Sequence, residues 1–130
     1  MTKKLETKLE IKSWDEQPYR EFPDGSKFTR AEVVLAGDET GLESAHFDAL
    51  MYYRPDGTSA YVSLLELTGA IDGREGTVVL RGEGSYDGTT AKSKSTVVHG
   101  TGDLADLKMT VDSASTHDDY PFMPLTLKYE

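Results

Sequence analysis

The residues of this sequence best suited to chemistry are His46 and Asp48, which lie two positions apart in a segment that alternates along its length. If that segment is a β-strand, both side chains project from the same face. An imidazole titrates near neutral pH, and burial raises the pKa of a carboxyl group, so the two form a candidate general acid–base pair. This interpretation requires the face that carries them to point into the protein.

The other face of the same segment is apolar and carries Ala45, Phe47 and Met51. Two alternatives follow. If the apolar face points inward, His46 and Asp48 are surface residues. If it points outward, His46 and Asp48 line a cavity, and the apolar stripe is the interface of a homodimer.

Further candidates come from neighbouring segments. Tyr61 and Ser63 share a face with Leu65, so their hydroxyls are placed to hydrogen-bond an interior ligand, and Tyr61 is our third candidate for proton transfer. A core tyrosine with a satisfied hydroxyl is the structural alternative. His99 ends a segment whose same-parity residues are small, as in a cavity wall, although a surface histidine near a turn is the alternative. The predicted ligand-binding residues are Tyr52, Ser63, Leu65, His99 and Met109.

Metal and cofactor chemistry finds little support. His46, His99 and Asp48 are of the types found in two-histidine, one-carboxylate sites, but their spacing does not favour such a site. The chain has no cysteine, which excludes disulfides and thiolate ligands. It also lacks GxSxG, Walker, GxGxxG and HExxH motifs. We therefore expect no metal and no cofactor, and we expect His117 to lie in a solvated loop.

Composition narrows the partners and the location. The formal charge is −9, with 23 acidic against 14 basic residues, so the chain repels phosphate backbones and nucleic-acid binding is not expected. No apolar run approaches the ~20 residues of a membrane helix, so no membrane partner is expected. The first residues enter a strand pattern directly, without the apolar core of a signal peptide. These observations favour a cytoplasmic location.

Alternating residues predict about eight strands in one domain spanning residues 1–130, with no amphipathic helix. We expect the first strand to end before Pro18, a bulge or bend at Gly82-Glu83-Gly84, and one helical turn near 103–107. Asp-Gly pairs, which favour tight turns, lie at 24–25, 56–57, 72–73 and 87–88. The pattern is typical of an all-β fold, a single antiparallel meander β-barrel. The predicted strands cover 5–13, 28–36, 43–54, 59–68, 77–85, 90–98, 107–113 and 125–129.

Several segments, in order along the chain, resemble one bacterial family, the domain of unknown function 3224. They are Ser13-Trp14-Asp15-Glu16, Pro18-Tyr19, Thr29-Arg30-Ala31, the run from Leu50 to Gly57, Thr68-Gly69, Gly73-Arg74 and the run from Val97 to Leu104. The resemblance implies a small barrel of the allene oxide cyclase type and transfers no catalytic residues. Two positions depart from the family pattern: an acidic residue either falls one position late, at Glu66, or is lost, and His99 stands where the family tends to have proline.

Three functions remain open at this point. The first is a barrel that binds a small apolar molecule in its interior. The second, by fold analogy, is a cofactor-free isomerase or cyclase that uses His46, Asp48 and Tyr61. The third is a structural homodimer or an engineered variant of the family. Whichever holds, the Asp-Gly turns predict that Leu65, and not Glu66, shares a face with Tyr61 and Ser63.

Overall fold

A computed structural model describes residues 2–130 and consists almost entirely of β-structure. It confirms the prediction of an all-β chain with eight antiparallel strands and almost no helix. The strands are β1 (Lys3–Glu21), β2 (Lys27–Ala36), β3 (Leu42–Tyr53), β4 (Ser59–Ile71), β5 (Arg74–Tyr86), β6 (Thr90–Gly100), β7 (Met109–Thr116) and β8 (Phe122–Tyr129). Two short 3₁₀ turns, Gly102–Leu104 and His117–Asp119, lie in the connections.

The eight strands form one sheet that closes into a ring, with each strand paired to its neighbours in sequence and β1 paired to β8. The long strand β1 makes the closure. Its first half, Lys3 to Glu10, pairs with β8, and its second half, Ile11 to Glu21, pairs with β2. One strand therefore passes from one partner to the other across the seam of the ring.

Strand β1 corrects one expectation, because it continues past Pro18 to Glu21. Register shifts between Ile11 and Ser13 and between Pro18 and Arg20 accommodate the extra length. Proline is tolerated in a strand at such an irregularity, where its missing N–H leaves no ladder bond unmade. The helical turn expected near 103–107 is present as the 3₁₀ turn Gly102–Leu104.

The Asp-Gly pairs do lie in the hairpin turns, and three of them share one mechanism. The carboxylates of Asp24, Asp56 and Asp87 each accept hydrogen bonds from the backbone N–H and the hydroxyl of the Ser or Thr two positions later. The turn at Asp72-Gly73 is different, since both residues have positive φ, 54° and 77°. That is the signature of a two-residue hairpin whose twist matches the flanking strands.

The two ends of the ring differ. Leu104 and Leu107, in the connection from β6 to β7, are buried and close one end. The opposite end carries the turns that join β1 to β2, β3 to β4, β5 to β6 and β7 to β8, and it holds a cavity. Within residues 2–130, no helix is long and apolar enough to cross a membrane.

The burial of alternate side chains shows which face of β3 is interior. Ala45, Phe47 and Met51 are buried in the core, so this stripe cannot be the interface of a homodimer. The outer face of β3 and β4 exposes other apolar side chains, among them Leu50, Val62 and Leu64.

Candidate functional site

The interior cavity exists because one row of side chains across the ring is too small to fill it. The row joins direct partners on five adjacent strands: Ala31, Ala49, Ser63, Gly82 and Ser95. Interior side chains fill a ring of eight strands only when they are large enough to meet at its centre. Here they leave a cavity of about 370 Å³, the volume of roughly a dozen liquid waters.

Two glycines on β5 make room for side chains that line this cavity. A Cβ at Gly84 would overlap the ring of Tyr61, and a Cβ at Gly82 would overlap the hydroxyl of Ser95. The two glycines therefore let neighbouring side chains lie across the β5 backbone. They are not the bulge or bend expected from the sequence, because β5 pairs with β4 without a register shift at this point.

The cavity has one apolar and one hydroxyl-rich wall. The ring of Trp14 packs edge-on against that of Phe47, with 6.0 Å between the ring centroids. The apolar side includes Ile11, Trp14, Phe47, Met51, Phe122, Met123 and Leu125. The hydroxyl side includes Ser63, Ser93, Ser95, Ser113 and Ser115. No Asp, Glu, Lys or Arg of residues 2–130 lines the cavity, and His117 at the rim is the ionisable side chain of the lining other than the tyrosines.

Two buried serines in the cavity wall differ in their hydrogen bonding. Ser113 donates its hydroxyl to the carbonyl of Pro124 at 2.6 Å. Ser59 is only 1% exposed, and its Oγ has no hydrogen-bond partner among the residues described. Buried polar atoms are normally paired, because an unpaired one loses its hydration without compensation. The Ser59 hydroxyl is thus an unpaired polar group in the wall of the cavity.

A carboxylate network lies beside the cavity. Glu16 accepts hydrogen bonds from Trp14 Nε1 at 3.0 Å, from Thr29 Oγ1 at 2.8 Å and from Tyr53 Oη at 2.8 Å. A carboxylate has about four lone-pair sites, so most of its capacity is used. The network ties the second half of β1 to β2 and β3 and fixes Trp14 and Tyr53, both of which line the cavity.

Tyr53 and Tyr61, which line the cavity, remain protonated at physiological pH. Burial, and then the hydrogen bond to Glu16, raise the pKa of Tyr53 well above its ordinary value. Burial also raises the pKa of Tyr61, whose hydroxyl lies 3.4 Å from the carbonyl of Lys92.

The rim of the cavity is built from the turns at the open end. Tyr86 donates its hydroxyl to the carbonyl of Gly88 at 2.7 Å, and its oxygen lies 3.1 Å from Nε2 of His117. Because the Tyr86 proton goes to Gly88, the imidazole is the donor in the second contact. His117 was expected in a solvated loop. It is exposed, but it also lines the cavity rim together with Tyr120.

The structure places His46 and Asp48 on the outer face of β3, where each side chain is 43% exposed. Nε2 of His46 lies 3.7 Å from Oδ1 of Asp48, which is longer than a hydrogen bond. Their placement in a cavity is therefore wrong. The alternate residues of β3 are apolar, and burying them gains free energy, whereas burying an imidazole and a carboxylate without partners costs free energy.

His99 is also outside the cavity, and a β-bulge explains why. Leu80 pairs with Val97 while Val79 pairs with His99, so Val98 is an extra residue on β6. One inserted residue reverses the faces of all that follow, which turns His99 outward. Since β4 and β5 separate its strand from that of His46, the two histidines are about 14 Å apart at ~4.8 Å per strand, too far to share a metal.

Three of the predicted residues do meet in the cavity. Tyr61, Ser63 and Leu65 all line it, whereas Glu66 points outward, as the turn positions predicted. Tyr52 lies on the outer face, where it packs against Phe28 with 5.7 Å between ring centroids. Met109 is buried near the closed end and does not line the cavity.

Sequence reasoning missed Trp14, Glu16, Tyr53 and Ser59. The first two were overlooked because the predicted strand covered only residues 5–13, whereas β1 continues to Glu21 and a bulge near Ser13 turns its even residues inward. Tyr53 shares its strand face with Phe47 and Met51, so parity alone could have placed it inside once that face was known to be interior. Ser59 shares a strand face with Tyr61 and Ser63, so alternation along β4 could have placed it inside as well.

Comparison with known proteins gives a family and a fold. Residues 5–129 match the family described as a protein of unknown function, DUF3224. The crystal structure of a DUF3224 protein of unknown function from Shewanella oneidensis MR-1 is similar, with a TM-score of 0.70, 18% sequence identity and 98% of each chain covered. No curated protein matches the chain.

Proposed function

The chain belongs to the DUF3224 family, and from the geometry of its interior we propose that it binds a small, uncharged, largely apolar molecule in the cavity of the ring. The observation that carries this proposal is the cavity of about 370 Å³ between an aromatic and a hydroxyl-rich wall. Ligand sites in proteins are typically concave, mostly apolar and supplied with a few polar groups. This cavity has all three properties.

The shape of the ring belongs to the same proposal. We infer that it is a barrel of the allene oxide cyclase type, open at the end of the β3–β4 and β5–β6 turns. The pairing of β1 with β8 and the asymmetric filling of the interior support this inference. The cytoplasmic location stays a prediction.

A cofactor-free isomerase is the second candidate, but it would need catalytic residues other than His46 and Asp48. His46 and Asp48 lie on the outer face and cannot serve. Within residues 2–130, the only carboxylate hydrogen-bonded to a tyrosine of the cavity lining is that of Glu16, which accepts from Tyr53. Its oxygens already accept three hydrogen bonds, and it does not itself line the cavity. A general base must reach the proton it removes, so this geometry favours binding over proton transfer.

The binding proposal can be tested with a neutral fluorescent probe, N-phenyl-1-naphthylamine. Trp14 is the only tryptophan of the chain and lines the cavity. A bound probe should therefore gain fluorescence and quench Trp14 emission. We expect saturable binding with a Kd in the micromolar range, about −8 kcal/mol.

The matched variants are Ala49→Leu and Ala114→Leu. Ala49 is part of the small-residue row inside the ring, and Ala114 is exposed on β7. Ala49→Leu should fill the cavity and abolish binding while the melting temperature holds or rises, since filling a void stabilises a core. Ala114→Leu should bind as the wild type does. Equal binding by both variants would show that the probe sits elsewhere, and the proposal would fail.

A further inference from the structure

Ser59 lines the cavity, and its buried hydroxyl has no hydrogen-bond partner among the residues described. It lies in a row across three strands, directly opposite Tyr53 on one side and Tyr86 on the other. All three residues line the cavity. The row therefore places three hydroxyl-bearing side chains in the cavity lining, at the level of the open end.

The donor capacity of these hydroxyls is unequal. Tyr53 donates its proton to Glu16, and Tyr86 donates its proton to the carbonyl of Gly88. Each hydroxyl has one proton, so both tyrosines can offer the cavity only oxygen lone pairs. Ser59 alone among the three has an unassigned proton, and its Oγ is buried without a partner.

We propose that Ser59 binds the oxygen of an alcohol or phenol whose apolar body lies against Trp14 and Phe47. The class of ligand follows from the count of donors and acceptors. Ser59 supplies a donor, and hydroxyl oxygens elsewhere in the lining supply acceptors, so a ligand hydroxyl, which both accepts and donates, suits the lining. An ionised ligand meets no Asp, Glu, Lys or Arg of residues 2–130 in the lining, and a hydrocarbon leaves Ser59 unpaired at a cost in affinity.

This inference rests on the proposed binding function, and its test separates the two. Competitors for N-phenyl-1-naphthylamine are 1-naphthol and 1-methylnaphthalene, which differ by a hydroxyl in place of a methyl. The measured quantity is the ratio of their dissociation constants in the wild type and in Ser59→Ala. Comparing the ratios in a double-mutant-type cycle removes the difference in hydrophobicity between the two compounds.

The preference for 1-naphthol should fall about tenfold in Ser59→Ala. Ser85→Ala, an exposed serine on the outer face of β5, should keep the wild-type ratio. If Ser59→Ala folds poorly, Ser59→Cys takes its place in the test. Cysteine is similar in size to serine and is a weak donor, so this variant should show an intermediate ratio.

The outcomes are distinct. An unchanged ratio in both Ser59 variants, with both compounds still displacing the probe, overturns the role of Ser59 and leaves the binding function standing. Failure of the probe itself to bind the wild-type protein removes both. Loss of the preference for 1-naphthol in Ser59→Ala, with the wild-type ratio kept in Ser85→Ala, supports the inference.

Discussion

At the scale of single residues, the interior polar groups divide into those that hold the structure and those that are free. Glu16 belongs to the first kind, since Trp14, Thr29 and Tyr53 all donate to it. Ser59 belongs to the second, because its buried hydroxyl has no partner within the described residues. This division assigns stability to the Glu16 cluster and, under the proposed binding function, ligand recognition to Ser59.

Removing a donor from the Glu16 network should destabilise the protein. Thr29 is 1% exposed and donates to the carboxylate at 2.8 Å. Hydrogen bonds to charged groups contribute about 1.5–3 kcal/mol, so Thr29→Val should lower the free energy of unfolding by about that amount. Urea unfolding followed by Trp14 fluorescence measures it. A loss below about 0.5 kcal/mol would show that the network contributes little.

Ser59 and Ser113, both buried, should respond in opposite ways to the same substitution. Ser113→Ala removes a hydrogen bond to Pro124 and should cost about 1 kcal/mol in unfolding free energy. Ser59→Ala removes no bond within the protein and should leave stability equal or slightly higher. Thermal unfolding of both variants measures this. A larger loss in Ser59→Ala than in Ser113→Ala contradicts the assignment of Ser59 as unpaired.

At the scale of strands and turns, the number of strands could be predicted from the sequence, but not the side chains that reach the cavity. The Asp-Gly pairs and the alternation between them fixed the hairpins, and they placed Leu65 inward correctly. At two bulges, alternation along a strand does not give the correct side-chain direction. One near Ser13 turns Glu16 inward, and one at Val98 turns His99 outward. A bulge depends on how neighbouring strands fit together, which alternation within one strand does not record.

The turns predict how stability depends on pH. Hydrogen bonds from the backbone N–H groups of Thr90 and Thr89, and from the Thr89 hydroxyl, lower the pKa of Asp87 to about 2. The carboxyl of an unfolded chain titrates near pH ~3.9. The folded state is therefore favoured above that value, and this contribution is lost as the pH falls toward 2.

Asp87→Asn keeps the acceptor oxygen but does not titrate. Between pH 5 and pH 2.5, the melting temperature of this variant should fall less than that of the wild type. Asp106→Asn, in the connection from β6 to β7, separates this effect from the loss of one negative charge. Parallel curves for the wild type and Asp87→Asn would mean that the turn does not contribute to acid sensitivity.

At the scale of the whole molecule, ring closure and cavity have separate causes. β1 closes the ring by pairing first with β8 and then with β2, so each half of that strand is bonded in a ladder on one side. The strands β3, β4 and β5 are paired on both sides. The cavity follows from the small residues that these central strands contribute to one row.

Hydrogen exchange should follow this pairing. Amides of β4, whose neighbours are paired along its length, should exchange slowest, near the rate set by global unfolding. Amides of β1 should exchange faster through local opening, and Glu16→Gln should accelerate the second half of β1 more than the first. Uniform protection across all eight strands would indicate that the seam is as stable as the centre.

The most direct test of the account is a crystal structure of the protein with 1-naphthol. We predict the bicyclic ring inside the sheet, against Trp14 and Phe47, with its oxygen within hydrogen-bond distance of Ser59 Oγ. An open groove on the outer face, lined by Tyr19, Leu50 and Val62 among others, is the competing location. Electron density for the ligand in that groove alone, with none inside the ring, would contradict the central claim.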